Sequence, residues 1–147
     1  MSIPKDKLNP VWWALRIGLG AGPLLAGLDK FFNILTNWEK YLNPMAERLL
    51  PISGATFMHV VGVIEMIVGL AILTRWTRIG SYVASLWLVL IAVNLILAGA
   101  FLDVAVRDLL MALAAYTLAR LTEARQPATN PLPVPLSGHT SYSVLAR

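Results

Sequence analysis

VWWALRIGLGAGPLLAGLDKFFNIL, residues Val11 to Leu35, is apolar over most of its length and long enough to cross a membrane as a helix. It nevertheless holds Arg16 one turn inside its start and Asp29 and Lys30 near its end. At spacings of four and three, Arg16, Gly20, Pro23, Gly27 and Lys30 share one helical face. That face is charged at both ends and carries no bulky side chain between them. Charge within a bilayer is costly and is expected to turn toward protein. Small residues let a neighbouring backbone approach. The stripe is therefore expected to form the inner wall of a helix bundle.

The whole chain agrees with a membrane setting. Its 147 residues are 57% hydrophobic and 14% charged, with a mean hydropathy of +0.66. A soluble domain is nearer a quarter charged. The net charge of +4 is scattered rather than clustered, which argues against nucleic acid as a partner. There is no cysteine, so disulfides, thiol redox chemistry and cysteine-ligated metal are excluded. Lys5 and Lys7 ahead of an apolar run resemble a signal peptide, but the run ends in Asp29-Lys30 without a small-residue cleavage site.

Three further spans are expected: 54–73, holding His59 and Glu65; 79–100, holding Asn94; and 104–121, opened by Asp103, Arg107 and Asp108. Gly62 and Gly69 place Glu65 on a small-residue face. Asp108, Ala112, Ala115 and Ala119 make another such stripe, and Asp103 is expected to cap the fourth helix and pair with Arg107. Pro10 is expected to open the first helix and Pro23 to bend it. Between the first two spans, Trp38 and Tyr41 suit a lipid–water boundary, and Asn43 with Pro44 can start a short interfacial helix carrying Met45, Leu49 and Leu50. Residues 1–125 form the bundle, and 126–147 form an extended Pro-rich tail that is expected to contact a partner protein. Basic residues in the second loop and near both ends predict cytoplasmic termini in a cytoplasmic membrane.

On that topology Asp29, Lys30, His59, Glu65, Asn94, Asp103, Arg107 and Asp108 share the outer half of the bundle. Arg16 stands alone toward the inner side, roughly 20 Å from Lys30 at the helical rise. Arg16, Asp29, Lys30, Glu65, Asn94, Arg107 and Asp108 are the expected buried polar network. Two bases there cannot neutralise four acids, which leaves a carboxyl, the deep Glu65 first, to hold a proton. Such a carboxyl beside Lys30 and His59 could serve a quinone headgroup. The same charges could equally lock helices in register. His59 and His139 are the only histidines, and His139 lies in the tail, so neither haem nor a metal is expected.

These residues resemble the DoxX-like family of four-helix membrane proteins. The resemblance rests on RIGLG…LLAGLDKFFN from Arg16 to Asn33, on Glu65 followed by Gly69-Leu70, on the arginine-bearing turn from Arg75 to Arg78, and on Asp108 early in the fourth span. It covers Val11 to Arg125 and leaves the tail outside. It implies a small subunit of a membrane redox complex, bound to other membrane subunits, with no covalent cofactor and with quinone or lipid as the expected ligand between its helices. Members of that family also resemble the small subunit of thiosulfate:quinone oxidoreductase, a likeness that implies a chain which itself reacts with quinone. A transporter or proton pathway ranks last, because Gly20, Pro23 and Gly27 offer nothing to relay a proton between Arg16 and Lys30.

Overall fold

The computed structural model describes residues 5–44, 48 and 51–125. They form α1 (Lys5–Asp29), a 3-10 turn (Trp38–Tyr41), α2 (Gly54–Leu73), α3 (Thr77–Ala98) and α4 (Leu102–Arg125), with no strand among them. Of the expected interfacial helix only Pro44 and Arg48, both helical, are described; Met45, Leu49, Leu50 and the tail 126–147 lie outside the described residues.

Local chemistry sets the helix ends. Ser53 caps α2, its hydroxyl accepting from the Thr56 N–H at 3.2 Å. Gly99 ends α3 in the left-handed conformation at φ 65°. α1 stops at Asp29, whose carboxylate accepts the N–H groups of Ile34 and Leu35, while Asn33 turns the chain at φ 51°. The first helix is thus shorter at its end than the apolar run. Its start also differs from expectation, since Pro10 lies inside α1 and the helix begins at Lys5.

The helices pack as a ring in the order α1–α2–α3–α4, with α1–α2 and α3–α4 the two intimate pairs. The first pair is built on glycine. A Cβ on Gly27 would lie 2.5 Å from the carbonyl oxygen of Gly62, and one on Gly69 would lie 2.6 Å from that of Gly20. Gly20 and Gly27 are two turns apart on α1, Gly62 and Gly69 two turns apart on α2, and the antiparallel helices meet glycine to glycine. In the second pair Ala84, Ala112, Ala115 and Ala119 are buried, and the Ser85 hydroxyl donates to the Ala112 carbonyl at 2.9 Å. The small-residue stripes therefore face neighbouring helices.

Two apolar clusters lie at different heights. Trp12, Leu19, Val68, Ile72, Ala115 and Leu118 fill the end at which α1 starts and α4 finishes, here termed the terminal end. Ala92, Leu95 and Ala105 pack near the α3–α4 turn, at the opposite or loop end. Large apolar side chains point outward from every helix: Leu25 is 61% exposed, Ile67 61%, Leu86 63% and Leu110 63%. Such an apolar girdle is foreign to soluble proteins. Three helices, Leu8–Asp29, Gly54–Leu73 and Thr77–Ala98, are long and apolar enough to cross a membrane, and the chain reads as a multi-pass membrane protein. The fourth helix falls short of that measure because Asp103, Arg107, Asp108, Arg120 and Glu123 lie within it.

Candidate functional site

The polar residues of the loop end converge on a cavity of about 730 Å³ lined by all four helices and by the segment after α1. Lys30 enters it from the first turn beyond α1. Its stem lies against Gly62, where a Cβ would sit 3.2 Å from the Lys30 Cβ, so the missing side chain makes room for the lysine. Its Nζ lies 2.5 Å from Glu65 Oε2, with the two side chains 4% and 11% exposed. The same Nζ stands 3.8 Å from the centroid of the Trp38 ring, a cation–π contact.

Asp29 holds that indole in place. Trp38 Nε1 donates to Asp29 Oδ2 at 2.8 Å, and the carboxylate also accepts the loop N–H groups that end α1. Asp29 is thus buried but is satisfied by N–H donors and does not line the cavity. It acts through Trp38, which it folds back over Lys30. Trp38 and Tyr41, the expected boundary aromatics, both line the cavity.

The opposite wall comes from α3 and α4. Buried Asp108 accepts from Arg107 Nε and Nη2, both at 3.2 Å on Oδ1. Arg107 is 66% exposed and forms the edge of the cavity rather than part of a buried network. The expected Asp103–Arg107 pair gives way to this neighbouring pair, and Asp103 is an exposed residue of the first helical turn instead of its cap. Asn94 is half-buried on the lining. Trp87 also lines the cavity, its indole beside the Glu65 carboxylate.

The two remaining expected residues stand elsewhere. His59 is exposed on the outside of α2, stacked on Phe31 with centroids 4.8 Å apart. It precedes Glu65 by six residues, about a third of a turn out of phase at 100° per residue, so both cannot face one cavity. Arg16 lies at the terminal end, where Nε donates to the Ile72 carbonyl at 3.0 Å and Nη2 to those of Leu73 and Thr74 at 2.7 and 2.5 Å. Its counter-charge is the carboxyl end of α2, whose unsatisfied carbonyls and dipole favour a cation.

Comparison with family models, with curated proteins and with solved structures finds no match.

The geometry therefore carries the functional reading. Within the cavity Lys30 balances Glu65 and Arg107 balances Asp108, so the site is neutral overall. The expected excess of acid disappears because Asp29 and Asp103 are engaged or exposed elsewhere. No group of three or more histidine, aspartate or glutamate side chains among the described residues could hold a metal. The remaining lining is largely aliphatic, and the volume falls in the range of small-molecule sites. A neutral, mostly apolar space with a few convergent polar groups suits an uncharged amphiphile with a polar head. Trp38, Tyr41 and Trp87 were not singled out as cavity residues from sequence. Trp87 gave no signal there, being one aromatic in an apolar helix.

Proposed function

We propose that this chain is a small integral-membrane subunit of a membrane redox assembly, of DoxX-like type, which binds a quinone between its helices in an accessory role. The observation that carries the reading is the neutral cavity at the loop end, where Lys30 and Glu65 form a nearly water-free ion pair at the edge of apolar space. A quinone head is uncharged, offers carbonyl oxygens to donors, and partitions into the membrane with its tail.

In this reading α4 is the fourth span. Its surface supports that: Val106, Leu110 and Leu113 are 58%, 63% and 62% exposed, and its charges cluster toward its two ends. Both termini lie in the cytoplasm, and the membrane is the cytoplasmic one. The tail fastens the subunit to a neighbouring membrane protein.

The second reading, a subunit that itself presents quinone to an electron donor, is favoured by Glu65 on the lining. A proton pathway along the first two helices is disfavoured by the glycine contacts, which leave backbone against backbone between Arg16 and Lys30.

Purification in mild detergent tests the assembly. The full chain is expected to carry a redox-active membrane partner with it, and deletion of residues 126–147 to weaken that association. Recovery of the full chain as a lone monomer would remove the subunit reading. In the purified assembly, Glu65→Gln lowers quinone turnover only if the chain takes part in the reaction; unchanged turnover leaves the accessory role.

A further inference from the structure

The charges of the cavity balance; those of the terminal end do not. Arg16, Arg75, Arg78, Arg120 and Arg125 stand there, and Glu123 is the one carboxylate at that end among the described side chains. Both of its oxygens are taken, Oε1 by the Tyr82 hydroxyl and Oε2 by Arg120, each at 3.0 Å. Arg78 reaches it only at 3.9 Å. Arg75 lies 5.8 Å from the centroid of the Trp76 ring and meets no carboxylate among the described residues.

Arg75 and Arg78, with Trp76 and Ile79, line a shallow recess of about 440 Å³ on the outside of the α2–α3 turn, away from the cavity. The turn is held firmly. The Thr77 hydroxyl is shared between the carbonyls of Ile72 and Thr74 at 2.8 and 3.0 Å, and Arg16 donates to the same two carbonyls from α1. Gly80 lets α3 close on α2, since a Cβ there would lie 2.9 Å from the Ile72 nitrogen. Beyond the recess the surface becomes apolar. Ile79, Val83, Leu86 and Leu90 follow at spacings of four, three and four along one face of α3, and all are exposed. At the helical rise that face is about 16 Å long. Half the hydrocarbon core of a bilayer is about 15 Å.

We propose that this recess binds one anionic phospholipid, with its phosphate between Arg75 and Arg78, its glycerol level with Trp76 and an acyl chain along the face from Ile79 to Leu90. Trp76 suits that depth, because aromatic rings of this kind settle at the lipid–water boundary. The surplus of arginine selects a net negative head, whereas a zwitterionic head brings a cation of its own. The site stands on the surface and charge of the terminal end and does not depend on quinone binding.

Native mass spectrometry tests it. The full chain is released from detergent micelles holding phosphatidylglycerol and phosphatidylcholine with the same acyl chains at equal concentration. The wild type is expected to retain phosphatidylglycerol in preference. An arginine at the membrane surface contributes about fivefold in affinity for anionic lipid, so Arg75→Gln is expected to lower that preference about fivefold. Replacing Arg78 as well should bring the two lipids near parity. Lys40→Gln removes the same charge from an exposed position at the loop end and is expected to leave the preference unchanged. Equal retention of both lipids by the wild type overturns the proposal. So does a Lys40→Gln variant that loses as much preference as Arg75→Gln, because net charge and not the recess would then select the lipid. Glycerophosphate supplies the phosphate without the chains and is expected to leave bound phosphatidylglycerol in place. Its displacement of the lipid would assign the recess to a soluble phosphate compound and overturn the lipid. Thermal unfolding identifies a variant that lost its fold, and Arg78→Gln alone then carries the comparison.

Discussion

Lys30 shows how one residue can be held by several distant causes. Its ammonium has a carboxylate at 2.5 Å and an indole face at 3.8 Å, and its stem fills the space left by Gly62. Removing one member of a buried pair strands the other charge, which costs about 3–5 kcal/mol. Lys30→Met is therefore expected to destabilise the bundle by that order, read from its unfolding in mixed micelles. The double variant Lys30→Met with Glu65→Met should recover most of the loss, because two apolar side chains leave nothing charged to desolvate. A double variant as unstable as the single one would show that the pair contributes more than mutual neutralisation. The lysine and the glutamate could be picked out from sequence because each is an ionisable side chain in an apolar run, and an up-and-down arrangement of the spans sets both in the same half. The direct contact across 35 positions is fixed by the antiparallel register of α1 and α2.

At the scale of the element, the α1–α2 pair is set by where side chains are missing. A Cβ on Gly27 would meet the Gly62 backbone at 2.5 Å, whereas one on Gly18, on the outer face of the same helix, would meet nothing within 4 Å. Overpacking typically costs 1–3 kcal/mol, and here the obstacle is backbone, which cannot rotate away. Gly27→Ala is expected to fall at about the upper end of that range. Gly18→Ala should be neutral or stabilise by up to about 1 kcal/mol through helix propensity. Unfolding midpoints of the two variants give the comparison, and equal midpoints would mean that the helices can separate at no cost. Arg16 belongs to this scale too. It closes the same interface at the terminal end by donating to the last carbonyls of α2. Arg16 stands apart from the carboxylates, and the carboxyl terminus of a helix serves as its partner.

At the scale of the whole molecule, the ring of four helices gathers the Lys30–Glu65 and Arg107–Asp108 pairs toward the loop end and sets the larger apolar cluster, with Arg16, at the terminal end. Topology follows from where the loops emerge, and the absence of cysteine from the chain makes it measurable without background. In the proposed orientation, Thr74→Cys in the α2–α3 turn should react with an impermeant maleimide only from the cytoplasmic side. Ala100→Cys in the α3–α4 turn should react only from the other side. Labelling of both from one side would mean that α3 does not cross and would dissolve the four-span reading.

Hydropathy and helical phase, both local properties, were enough to lay out the helices, to put glycine and alanine on their contact faces and to bring the charges to one end. They work because each depends only on residues a turn or two apart. The make-up of the cavity was beyond their reach. Asp29 binds Trp38 and not a cation, His59 turns outward, Arg107 turns to its neighbour, and Trp87 comes to stand beside Glu65. These outcomes depend on how the segment after α1 folds back and on how each helix is rotated against the others. Contacts between residues far apart in the chain fix both, and only the assembled tertiary structure contains them.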